Sequence, residues 1–89
     1  MARLVFTQQL ARFTAVPQVD TGAGTLRAGL EAAFGINPRL RSYVLDEQGH
    51  LRDNVVVFID ARRCQERTRL DDPLAPDSQV YILQALSGG

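Results

Sequence analysis

Lysine is missing from this 89-residue chain, and all ten of its basic side chains are arginine. No side chain can therefore accept an isopeptide bond, which leaves the α-amino group as the one acceptor amine. Arginine suits bidentate pairing with carboxylates, although an arginine-biased, GC-rich genome accounts for the absence of lysine better than selection does. Cysteine is scarce: Cys64 stands alone. A lone cysteine excludes an internal disulfide framework and fits a reducing compartment. Net charge is lacking as well, because ten acidic residues balance the ten arginines. No overall field is left to draw nucleic acid or an anionic membrane. No apolar run is long enough to span a bilayer, and no signal-peptide pattern precedes the first strand. These absences predict a cytoplasmic protein with neither nucleic-acid nor membrane partners.

Size and side-chain chemistry narrow the function further. One domain of this length buries about 60–65% of its unfolded-chain surface, too little for a large internal active site. Paired carboxylates, Cys/His sets and metal-ligand spacings are all absent. His50 lies in the polar turn Asp46-Glu47-Gln48-Gly49-His50 with no second ligand at metal spacing. Gly22-Ala23-Gly24 lacks the further Gly-Lys-Ser/Thr of a phosphate loop. The expectation is a protein that is not an enzyme by itself and binds no cofactor.

Periodicity supplies the architecture. Arg3 to Gln8 alternates, with Leu4 and Phe6 on one side and Arg3, Val5 and Thr7 on the other, which predicts a strand with one buried face. Phe13 to Val19 predicts a second strand, confined to an edge by Pro17 and paired with the first as a hairpin. After the turn Asp20 to Gly24, Thr25 is placed to cap a helix. Leu26, Leu30, Ala33 and Phe34 follow at helical spacing, and Gly35 is expected as its left-handed terminus. Asn37-Pro38 opens a short helical turn carrying Leu40, Tyr43 and Val44 inward. Asn54 to Asp60 is the strongest strand and reads as central. Asp60 to Arg63 is expected to turn the chain, Cys64 to Thr68 to form a short strand, and Leu70 and Leu74 to anchor a loop. Gln79 to Gln84 is the last strand. This order predicts an α+β β-grasp: a mixed sheet with one main helix packed on one face. The domain spans 1–84, and 85–89 form a flexible tail ending in Gly88-Gly89.

The tail holds the reactive chemistry. Two successive glycines at a terminus occur by chance about once in 200 chains, given roughly 7% glycine. A terminal carboxylate, with a pKa near ~3.5, is a delocalised anion that accepts neither sulfide nor an amine until it is activated. Attack on the α-phosphate of ATP supplies that activation, at a site a partner enzyme must provide. Residues without a Cβ let such a site close around the backbone. Ala85 to Gly89, fully extended, reach about 17 Å at ~3.3–3.6 Å per residue, enough to cross a partner's surface into a pocket.

Three segments carry a resemblance to a known family: residues 38–49 (PRLRSYVLDEQG), 55–60 (VVVFID) and 80–89 (VYILQALSGG). Together they resemble the ubiquitin-like sulfur carriers. These include the small subunit of molybdopterin synthase, the thiamin-pathway carrier and, nearest, carriers of the cysteine-biosynthesis branch. Three departures bear on the branch: Asp60-Ala61 where the family usually has Asn-Gly, Pro76-Asp77-Ser78 before the last strand, and Gln84 in place of a frequent proline. Alanine resists the positive φ of a type I′ turn, so a different turn type is expected at Asp60-Ala61.

The resemblance implies a carrier whose Gly89 carboxylate is adenylated by a ubiquitin-activator-like enzyme and becomes a thiocarboxylate. Gly88 is the spacer. Implied partners are that adenylating enzyme, a persulfide donor such as a rhodanese or cysteine desulfurase, a downstream sulfur-accepting synthase, and a metalloprotease that releases product. ATP is used by the partner enzyme. The alternatives are a ubiquitin-like modifier conjugated through the diglycine, and a β-grasp interaction module. If Val80 and Ile82, and Val57 and Ile59, face the core, then Phe58, Tyr81 and Leu83 form an outer apolar patch leading to Leu86 and Ser87. That patch is the expected partner-binding surface. Cys64 is expected to be structural, although Arg62, Arg63 and Arg67 are positioned to lower its pKa.

Overall fold

Short alternating segments need a shared apolar layer, and here a sheet and a helix supply it for each other. The computed structural model describes residues 1–7, 10 and 17–84. Its elements are β1 (Ala2–Phe6), β2 (Gln18–Thr21), α1 (Leu26–Ile36), α2 (Leu40–Val44), β3 (Val55–Ile59), β4 (Arg62–Arg63) and β5 (Gln79–Gln84). The strands form one sheet in the order β2-β1-β5-β3-β4. β1 runs parallel to β5, and the other pairs are antiparallel. The fold is a mixed-sheet β-grasp, as the element order predicts. β3 is an interior strand, as expected, paired along both edges, and β5 is the middle one, because the first and last strands pair in parallel across the centre.

The core lies between one sheet face and the helices. Leu4, Phe6, Val55, Val57, Val80 and Ile82 project from the sheet onto Leu26, Leu30, Ala33 and Phe34 of α1 and Leu40 and Val44 of α2. Gly29 lets α1 come close: a Cβ there would stand 3.3 Å from Leu74 and 3.5 Å from Leu4. Thr25 caps α1 as expected, its hydroxyl accepting from the Ala28 N–H at 3.2 Å. The end of α1 differs from expectation. Gly35 lies inside the helix, which runs to Ile36 and closes with the Asn37 N–H on the Ala33 carbonyl. Pro38 then prevents continuation, since it has no N–H to donate.

The segment after β4 straps the start of α1. Leu26 and Arg27 donate their backbone N–H groups to Asp72 and Leu70 carbonyls at 2.9 and 2.7 Å. The Arg27 guanidinium adds bonds to the Thr68 and Arg69 carbonyls. Helix N–H groups that otherwise lack partners are thus satisfied by the strap. Leu70 and Leu74 are buried beneath it, as expected.

Two expectations fail in this region. The extended pair is Arg62–Arg63, with no strand in 64–68. Asp60 and Ala61 form the two-residue connection, both at positive φ, 50° and 69°. That is the φ signature of a type I′ turn, which suits the twist of a tight hairpin. Alanine therefore occupies the conformation it was expected to avoid, because Asp60 fixes the hairpin. Its Oδ1 accepts from Gln79 N–H at 2.9 Å and its Oδ2 from the Ser78 hydroxyl at 2.8 Å. Asp20 and Thr21, expected in a turn, are the last residues of β2, and the 13–16 part of the predicted second strand lies outside the described residues.

Candidate functional site

The pleat sends alternate side chains of each strand to opposite faces. With Val80 and Ile82 buried on β5, and Val55 and Val57 on β3, the residues between them point away from the core. Register aligns them. Tyr81 pairs with Val5 of β1 on one side and Phe58 of β3 on the other, and Phe58 pairs with Arg63 of β4. Leu83 and Val56 pair in the adjacent row. The outer face thus carries a transverse row, Val5-Tyr81-Phe58-Arg63, with Val56 and Leu83 beside it. Tyr81 is 42% exposed, one of the most exposed large hydrophobic side chains among the described residues. Val5, Val56, Phe58 and Leu83 are half-buried.

Phe58, Tyr81 and Leu83 therefore share one surface. Gly88, Gly89, Leu86 and Ser87 lie outside the described residues. β5 reaches Gln84 opposite Val55, so the route to those residues leaves from the middle strand. Ile59, expected in the core, is half-buried and packs against the core's margin. Sequence reasoning missed Val5 and Arg63 as members of the row. Alternation had put Val5 on the outer side of β1, but only the parallel β1/β5 register puts it next to Tyr81.

Charges frame the apolar row unequally. At the β1/β2 end, Arg3 Nε meets Asp20 Oδ1 at 3.0 Å. At the β3/β4 end, Arg63 is exposed and makes no ion pair among the described residues. Neighbouring Arg62 faces the other way, opposite Ile59, and its charge helps hold the Asp60 carboxyl below the ordinary range. The larger causes of that shift are the bonds from Gln79 N–H and the Ser78 hydroxyl.

Cys64 lines a cleft of about 330 Å³ with Ile59, Arg62, Arg63, Gln65, Asp72 and Pro73, yet the residue is only 5% exposed. Its thiol lies 3.2 Å from the Glu66 carbonyl and 3.5 Å from Asp72 Oδ1 as a donor. Burial first, then the Asp72 charge, pushes the thiol up to about 11, against a minor opposing effect of Arg67. The arginines do not activate it: Arg67 turns its guanidinium to the Arg52 and Val55 carbonyls instead. The structural role expected of Cys64 fits this setting. Among the described residues no cluster of His, Cys, Asp and Glu is arranged to hold a metal ion. No described helix is long and apolar enough to cross a membrane.

No family model matches the sequence, and no curated protein does. Solved structures match over almost the whole chain. SAMP1 from Haloferax volcanii superimposes with a TM-score of 0.81 at 24% identity, covering 99% of this chain and 98% of that one. The small archaeal modifier protein 1 from Methanosarcina acetivorans gives 0.81 at 17% identity, covering 99% and 95%. A chain of the Amycolatopsis orientalis BexX/CysO complex gives 0.85 at 14% identity, covering 100% of each. At these identities the likeness establishes the fold, the ubiquitin-like β-grasp.

Proposed function

We propose that this protein is a ubiquitin-like sulfur carrier that acts through the Gly89 carboxylate. The observation that carries this reading is a sequence that reaches Gly88-Gly89 within five residues of the end of the middle strand of a β-grasp sheet, whose outer face carries an apolar row. In the proposed sequence a partner adenylating enzyme directs the Gly89 carboxylate oxygen onto the α-phosphorus of ATP, and pyrophosphate leaves. A persulfide donor, a rhodanese or cysteine desulfurase, attacks the resulting acyl-adenylate through its outer sulfur, and AMP leaves. A thiol then cleaves the sulfur–sulfur bond, forming a disulfide with the donor and releasing the Gly89 thiocarboxylate. That sulfur is delivered to a biosynthetic synthase, and a metalloprotease serves where product remains attached to the chain. Phe58, Tyr81 and Leu83 dock the enzymes, Leu86 and Ser87 line the route to their pocket, and Gly88 permits its closure.

A second reading is supported by the small archaeal modifier proteins that share the fold. There the same acyl-adenylate is captured by a target lysine in place of sulfur. One experiment separates the two: intact mass of the protein from its native host, before and after incubation with ATP, the host's adenylating enzyme and a sulfur donor. The carrier reading expects a gain equal to the difference between sulfur and oxygen, assigned to Gly89 by fragmentation. An unchanged mass accompanied by lysine-linked adducts in lysate selects the modifier reading. Neither signal leaves an interaction module.

A further inference from the structure

The unequal framing of the outer row has a consequence for whatever docks there. Phe58 and Arg63 are directly opposed, and Cys64 N–H donates to the Val57 carbonyl at 2.8 Å. This marks Phe58–Arg63 as a non-hydrogen-bonded antiparallel pair, the kind whose side chains stand closest, with Cα atoms roughly 4.5 Å apart. Arg63 is therefore anchored at the margin of the apolar row, with its charge within a side chain's reach of it. At its other end the row meets the neutral Gln18 of β2, and Arg3, two residues from Val5 along β1, is neutralised by Asp20. The two acidic residues nearest in sequence are engaged elsewhere: Asp60 commits both its oxygens to Ser78 and Gln79, and Glu66 accepts from Thr68 and Arg69. The face is thus apolar in the middle, neutral at the β2 side and positive at the β4 side.

A partner that buries the row must desolvate or closely approach Arg63. Without a counter-charge that approach is unfavourable, and with one it favours a single orientation. We propose that the protein surface docking on this face places a carboxylate against Arg63, beside the apolar site that receives Phe58 and Tyr81. Arg63 sets which way round the partner sits, and so where the strand β5 feeds the chain's end into it. The proposal rests on the docking role assigned to this face above, and its occupant is the adenylating enzyme.

The test is calorimetric titration of the full chain and its variants into the host's ubiquitin-activator-like adenylating enzyme, at low and high ionic strength. Arg63→Glu is expected to weaken binding about tenfold or more, Arg63→Lys to retain most affinity, and Arg63→Ala to flatten the salt dependence. Arg39→Glu, an exposed charge at the start of α2 on the helix side of the sheet, is expected to bind like the wild type. Arg63 makes no side-chain bond among the described residues, so unchanged thermal melting is expected and reports that any loss is at the interface. Wild-type affinity for Arg63→Glu, with binding lost in Phe58→Glu, would overturn the proposal and leave the docking face standing. Wild-type affinity for both variants would overturn the face as well.

Discussion

Ala61, at φ 69°, is a residue holding a conformation its side chain disfavours. A left-handed non-glycine residue costs about 1–2 kcal/mol, while glycine adds less than about 1 kcal/mol of unfolded-chain entropy. Ala61→Gly is therefore expected to stabilise the protein by about 0.5–1 kcal/mol, read as a higher urea midpoint at unchanged slope. The sequence contained the clue, since Asp-Ala stands where the carriers it resembles usually have Asn-Gly. It did not contain Ser78 and Gln79 clasping Asp60 from 18 and 19 residues away. Cys64 shows the same limit. A structural cysteine is the expectation, but the sequence alone does not say whether three nearby arginines lower its pKa; direction in space decides that, and the thiol faces Asp72 and the core's edge. Alkylation at neutral pH is expected to be slow in the folded protein and fast in urea, as followed by mass. Gly35→Ala is the opposite of a strain repair: the position is helical, no atom stands within 4 Å of the added Cβ, and a gain of about 0.5–1 kcal/mol is expected on thermal melting.

At the scale of elements, β1, α1, β3 and β5 were legible because each carries its own period, and Thr25 announced the start of α1. Of the strap at 64–74 only the anchors Leu70 and Leu74 were legible, because its path is set by bonds to α1 and to β3's approach, which come from distant parts of the sequence. Its carboxylates also define an acid limit. Glu66 is held down to about 2, first by the Thr68 hydroxyl and then by the Arg69 and Thr68 N–H groups. Asp60 is lowered too, by Gln79 and Ser78. Both pKa values lie below those of the unfolded chain, so the stability they contribute is present above about pH 4.5 and is lost as pH falls towards 2. Denaturant midpoints measured from pH 6 to 2 are expected to drop through that window. Glu66→Gln is expected to lower the midpoint at pH 6 and to flatten the drop.

For the whole molecule, one sheet face holds the fold, and the other carries the exposed Tyr81 and the half-buried row around it. Phe58→Glu is accordingly expected to leave thermal melting nearly unchanged while weakening the complex with the adenylating enzyme, measured by titration. Alternation showed which strand residues face outward, whereas their assembly into one row with Arg63 required the sheet order. The parallel pairing of β1 with β5 also separates two ends. Arg3 lies beside Gln79, at the start of β5, and Gln84 lies a strand's length further on, roughly 17 Å at ~3.3 Å per residue. Met1 is well exposed at the near end. With no lysine in the sequence, amine-directed reagents find no side-chain target anywhere along it. A fluorophore coupled through an activated ester is therefore steered to a chain-terminal amine and to no side chain of these 89 residues.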